Sequence, residues 1–215
     1  MERPVKEYRT YLFDLDNTVV DSRHGLEISL RAGFGEFGIP YDPARYDEYV
    51  ATPLRETWDL HRPGDVCGFR EFYAVVMGTY DRCYMDSVEL FPDARECLEA
   101  LAAAGKGLGI VSNSYAVHIE EILIRLDVRD IFGSLVGSDS CSHRKPDPQP
   151  VMLCLDELGA EPASAVMVGD SPNDVKAGRR AGTDTVFVDR GGWCPETGSD
   201  ATVRDLRDLL VPFRR

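Results

Sequence analysis

A chain of 215 residues, 43% hydrophobic and 28% charged, can bury one full core plus a smaller module, and its composition excludes wholesale disorder. The net charge of −13, spread along the chain, excludes a nucleic-acid surface, which needs clustered Lys and Arg. No apolar run has the length of a membrane span and Met1-Glu2-Arg3-Pro4-Val5-Lys6 holds no signal-peptide stretch, so the expectation is a cytoplasmic protein with no membrane partner.

In chain order, Tyr11-Leu12-Phe13 is the first apolar run. It lacks polar alternation and suits a strand buried on both faces of a parallel sheet. Residues 21–88 then contain no convincing strand. Helical spacing covers 26–37, 44–50, 54–60 and 69–85, divided by turn signals at Gly38-Ile39-Pro40, Thr52-Pro53 and Arg62-Pro63-Gly64. Phe69, Phe72, Tyr73, Val76 and Tyr80 form a helical stripe that reads as this segment's own core. Any exposed part of the stripe offers a surface for pairing two copies, so the expected state is a monomer or a homodimer.

From about residue 93 helix and strand alternate. Helices fit 94–104, 117–126, 150–158 and 173–181, three of them closed by Gly105, Gly159 and Gly182. Strands fit 107–111, 165–168 and 185–188, with a weaker one at 134–136. Residues 190–198 read as a loop before a last helix. The pattern predicts a doubly wound, mostly parallel α/β core of Rossmann-like type, residues 1–20 and 89–215. An all-helical insertion, residues 21–88, interrupts it after the first strand. The cysteines Cys67, Cys83, Cys97, Cys141, Cys154 and Cys194 show no C-x-x-C pair and no zinc spacing, and read as reduced thiols.

Chemistry concentrates at the predicted strand ends, where open parallel sheets bind ligands. Asp14 and Asp16 follow the first strand two residues apart and point roughly the same way. One such acid can attack phosphorus or bind a metal while the other moves a proton. Ser112-Asn113 offers a hydroxyl and an amide to phosphate oxygens, and the ammonium of Lys145, before Pro146, can neutralise a phosphoryl group. Gly169-Asp170-Ser171-Pro172-Asn173-Asp174 supplies two further carboxylates. Singly these are loop acids, a strand-end turn, a surface lysine and a helix cap. Together they set acid, hydroxyl, base and acid at successive strand ends.

With D-x-D-x-T, S-N, K-P and G-D-S-x-x-D in that order, the chain resembles the haloacid dehalogenase superfamily of phosphohydrolases. The insertion resembles the helical, C1-type cap domain of the phosphoglycolate-phosphatase-like branch. The resemblance implies a Mg²⁺-dependent phosphatase acting on a small-molecule phosphate ester. Asp14 would form the aspartyl-phosphate, and Asp16 would protonate the leaving group and then activate water. Thr18, Ser112 and Asn113 would bind phosphate, and Lys145 would hold both nucleophile and phosphate. Mg²⁺ would take Asp14, Asp170 and the backbone carbonyl of Asp16, with Asp174 and Ser171 in support.

An acid at position 16 favours phosphoryl transfer over hydrolytic dehalogenation, and Thr18 favours phosphatases over sugar phosphomutases. No lysine lies between Lys6 and Lys106, so the insertion cannot supply the Schiff-base lysine of phosphonoacetaldehyde hydrolases. Within Thr52-Pro53-Leu54-Arg55, Arg55 can bind a second anionic group of the substrate or stand as a solvated helix-start residue. Two alternatives stay open: a β-phosphoglucomutase-type sugar-phosphate mutase, and a non-catalytic ligand-binding protein of the same fold.

Overall fold

The computed structural model describes residues 6–191 and 198–213. Cys194 and most of the expected 190–198 loop lie outside the described residues. The chain divides into two compact units, one made of residues 1–21 and 89–215, the other of residues 22–88.

The α/β unit begins with β1 (Thr10–Phe13), every residue of which is buried. A two-residue strand β2 (Val20–Asp21) follows. The second unit holds α1 (Arg23–Glu36), α2 (Tyr46–Ala51), α3 (Leu54–His61) and α4 (Val66–Ser87). The chain returns through β3 (Glu89–Leu90), which pairs antiparallel with β2 through Val20–Leu90 and Asp21–Glu89. This pair was not foreseen, because two residues are too few to show periodicity. It also moves Asp21 from the helical segment to the α/β unit.

Strand and helix then alternate through α5 (Pro92–Ala103), β4 (Gly107–Val111), α6 (Ala116–Arg125), β5 (Ser134–Val136) and α7 (Gln149–Glu157). They continue through β6 (Ala165–Gly169), α8 (Pro172–Ala181), β7 (Asp184–Val188) and β8 (Ala201–Val203). The sheet has six strands in the order β5-β4-β1-β6-β7-β8, all parallel. α5, α7 and α8 end on Gly105, Gly159 and Gly182 at φ of +71°, +61° and +86°, a region open to glycine without a Cβ penalty. The expected last helix is a 3-10 helix (Leu206–Phe213).

Strand order fixes where a ligand goes. From β1 the chain builds outward to β4 and β5, then returns to β6, β7 and β8 on the other side. The reversal lies at β1, and a crevice opens beyond the carboxyl ends at such a switch point. Beneath it Leu12, Val111, Val136 and Met167 of the sheet pack with Val151, Cys154 and Leu155 of α7 and Ala177 of α8. Burial pushes the thiols of Cys97 and Cys154 up to about 12, which leaves them unreactive. All five described cysteines are free.

The helical unit is held by its own core of Leu30, Phe34, Ile39, Tyr49, Trp58, Phe72 and Val76. Phe34 and Phe72 meet edge to face at 5.8 Å, and Trp58 lies 5.1 Å from Phe72. Of the predicted stripe, Phe72 and Val76 are buried while Tyr73 is 47% exposed. None of the described helices is long and apolar enough to cross a membrane.

Candidate active site

The ladder places the first site residue. Asp14 N donates to Val168 O at 2.8 Å, so Asp14 is the first residue beyond β1 and stays locked to β6. The chain then folds back sharply. Val19 N and Val20 N both donate to Leu15 O at 3.0 Å, Asn17 N donates to Val20 O at 2.7 Å, and Asn17 takes φ +56°. Asparagine tolerates this region better than most residues do.

Lys145 is the centre of the constellation. It is 4% exposed, and its Nζ donates to Asp14 Oδ1, Asp174 Oδ1 and Val111 O, each at 2.6 Å. Those bonds use all three of its protons. Its backbone is clamped by Asn113, whose Oδ1 accepts from Lys145 N at 3.0 Å and whose Nδ2 donates to Lys145 O at 3.2 Å. The Asn113 amide, expected at the phosphate, is therefore engaged in holding the lysine loop.

Asp174 is 1% exposed and closes the first turn of α8. Its Oδ2 accepts from Ser171 N at 3.0 Å and Ser171 Oγ at 2.5 Å, while Asp174 N donates back to Ser171 Oγ. This reciprocal cap satisfies donors that a helix start leaves open. Gly169 is required beside it, since a Cβ there would collide with the Asp174 carboxylate. Ser171 thus acts through Asp174, as support.

Carboxylate oxygens of Asp14, Asp170 and Asp174 come within 4.8 Å of one another. Three carboxylates against one ammonium leave an excess of two negative charges. Burial raises Asp14 well above the ordinary carboxylate value; Lys145 opposes this, and Asp174 and Asp170 add to it. Burial, reinforced by Asp174, pushes Asp170 up to about 7. Burial works against the Lys145 ammonium, but Asp14 and Asp174 outweigh it and hold the lysine above its usual range. The charge imbalance falls on the carboxylates, and hard oxygen donors in excess suit a divalent cation such as Mg²⁺. Asp174 is spent on Lys145 and Ser171, which leaves Asp14 and Asp170 as the better-placed carboxylate ligands. The Asp16 side chain is not in this cluster.

Asp16 stands apart, its Oδ2 accepting from Ser114 Oγ at 3.1 Å. Ser114 N donates to the oxygen of buried Ser112 at 3.1 Å, which leaves the Ser112 proton for another acceptor. Ser114 was not foreseen, although it lies two residues beyond Ser112 on the same loop. Thr18 is fully buried with its hydroxyl 3.5 Å from Asp170 Oδ1, a long contact that turns it toward the carboxylates.

Arg190 opens the segment read as a loop before the last helix, one that could border the site. Its Nη2 donates to Thr18 O and its Nη1 to Asp93, both at 2.6 Å, and its guanidinium lies 3.9 Å from the centre of the Phe91 ring. Asp93 also accepts from Leu206 N at 2.7 Å. The turn after β1, the start of α5, the segment after β7 and the 3-10 helix are thereby tied together. In the helical unit, Arg55 is engaged locally: Nε donates to Asp59 at 2.8 Å and the guanidinium stacks on Phe69 at 5.0 Å.

Residues 11–188 match the family described as haloacid dehalogenase-like hydrolase. A phosphoglycolate phosphatase from Aquifex aeolicus is 34% identical over 186 residues, covering 84% of this chain and 84% of that one. The pyrophosphatase PpaX of Oceanobacillus iheyensis is 27% identical over 214 residues, covering 94% of this chain and 95% of its own. A solved structure from Clostridium difficile superposes with a TM-score of 0.84 at 24% identity, covering 96% of this chain and 100% of that one. The last likeness concerns the fold.

Proposed function

Because the chain belongs to the haloacid dehalogenase-like hydrolase family, we propose that it is a divalent-cation-dependent phosphatase acting on a small phosphate ester through the Asp14 carboxylate. One observation carries this reading: Lys145 bridges Asp14 and Asp174 beside Asp170, at the switch point of a parallel sheet. Such a cluster has little structural use, since burying unbalanced carboxylates costs stability.

A carboxylate repels a phosphate dianion; a divalent cation, which Asp14 and Asp170 would hold, would supply the charge that neutralises both. Lys145 neutralises Asp14 and keeps it in one orientation. Asp14 attacks phosphorus, and the bond from phosphorus to the ester oxygen breaks. Asp16, oriented by Ser114, gives its proton to that leaving oxygen. Asp16 then takes a proton from water, whose oxygen attacks the phosphorus of the aspartyl-phosphate. The bond to Asp14 breaks, and inorganic phosphate leaves. Ser112 donates its free proton to a phosphate oxygen.

Phosphoglycolate, an ester, and pyrophosphate, an anhydride, named for two relatives, both carry a second anionic group, so the proposed substrate class is a small phosphorylated compound with a second anion. The test is phosphate release from a panel of phosphorylated acids, sugars and nucleotides, with Mg²⁺ and with EDTA. Activity should require the cation and fall by about 10⁴-fold or more in Asp14→Asn, as losses of a nucleophile do. A cation-loaded wild type inactive across the panel would overturn the reading.

A further inference from the structure

An open cleft of about 590 Å³ in the α/β unit has no part in the chemistry above. Arg144, Arg180, His143, Ser142, Tyr115 and Asp147 are among its lining residues. Two guanidiniums against one carboxylate make it locally positive, in a chain whose net charge is −13. The one acid is largely committed. Asp147 Oδ1 accepts from Gln149 N at 2.9 Å, in the first turn of α7, where the helix dipole favours negative charge.

The two arginines differ from the others already described. Arg55 is engaged by Asp59, and Arg190 by Asp93 and Thr18. Arg180 donates Nη1 to Pro146 O at 2.9 Å, which fixes its guanidinium against the loop and leaves its other protons for the cleft. The exposed Arg144 side chain makes no hydrogen bond or ion pair among the described residues. In a chain with 37 acids and 24 basic residues, two guanidiniums lining one cleft, neither ion-paired to a carboxylate among the described residues, have the chemistry to receive an oxyanion. Arg144 and Pro146 flank the catalytic Lys145 in the chain, and Tyr115 follows Ser114.

We infer that this cleft is a second anion site, binding a phosphate or carboxylate group between Arg144 and Arg180. Two sources share that chemistry: the second anionic group of the substrate, or a separate phosphate bound while the substrate turns over. The first source rests on the phosphatase reading; the existence of the site does not.

The experiment has two parts. Inorganic phosphate is titrated calorimetrically into metal-free wild type, Arg144→Gln and Arg144→Lys. Without a cation the carboxylate cluster repels phosphate, so binding reports the cleft. Arg144→Gln should weaken it about tenfold, the loss of one charged hydrogen-bonding partner, and Arg144→Lys should recover part. In the second part kcat and KM are measured with Mg²⁺ for phosphoglycolate and for ethyl phosphate, which lacks the carboxylate. A KM raised by Arg144→Gln for phosphoglycolate alone identifies the substrate's own anion. Ethyl phosphate turnover that responds to added phosphate in wild type but not in Arg144→Gln identifies a separate one. Equal phosphate affinity in wild type and Arg144→Gln overturns the inference, and that result stands whether or not any ester is hydrolysed.

Discussion

At the scale of single residues, the carboxylates of the cluster are unequal, and their partners say how. Asp174 carries an ion pair to Lys145 and closes the α8 cap, so its removal leaves the buried ammonium with Asp14 as its one carboxylate partner and reopens a helix start. Breaking a buried pair from one side costs about 3–5 kcal/mol. Asp170 has no ion pair among the described residues and adds to an excess of negative charge. Asp174→Ala should therefore lower unfolding stability in urea titrations by up to about that amount, since Lys145 keeps its pair with Asp14. Asp170→Ala should leave the metal-free protein as stable as wild type or more so, while abolishing cation binding. Equal destabilisation by both would mean that Asp170 has a structural role the geometry does not explain.

At the scale of elements, α1 and α4 meet where Gly33 leaves room for α4. A Cβ there would collide with Val76 and lie 2.9 Å from Phe72, both of them buried in the helical core. Both neighbours sit among packed aromatic rings and cannot give way cheaply. Gly33→Ala should destabilise the protein by about 1–3 kcal/mol despite alanine's better helix propensity, measured by thermal and urea unfolding. An increase in stability would show that Val76 and Phe72 can give way to the added methyl group.

The same elements show what was readable in advance. β1, β4, β6 and β7 were legible because a strand buried on both faces must be apolar throughout. α5, α7 and α8 were legible because periodicity and a terminal glycine agree. β2, β3 and β8 were not, being two or three residues long and partly polar. The site followed the strand ends, so Asp14, Asp16, Ser112, Lys145, Asp170 and Asp174 could be named without coordinates. Thr18 and Asn113 were named too, but their hydroxyl and amide turn inward on Asp170 and on the Lys145 backbone. Such bonds, and the bridge from Arg190 to Asp93, join residues far apart in the chain, and no local pattern encodes them.

At the scale of the whole molecule, charge is the governing quantity. The chain carries −13 overall, and the cluster of buried Asp14 and Asp174 with half-buried Asp170 concentrates part of it where water screens it less than at the surface. A divalent cation taken up there binds the folded state, since unfolding scatters its ligands. At a hundredfold excess over its dissociation constant it adds about 2.7 kcal/mol, which for a chain of this size raises Tm by about 5–10 °C. Sodium chloride at matched ionic strength relieves only the general repulsion of exposed acids, because the buried cluster is poorly screened. Melting in EDTA, in sodium chloride and in Mg²⁺ should therefore give three ascending midpoints. Asp170→Asn should lose the rise specific to Mg²⁺ and keep the rise due to salt. If Mg²⁺ and sodium chloride stabilised wild type equally, the excess charge at the cluster would have to be neutralised by protons and not by a metal, and the role assigned to Asp170 would fail with it.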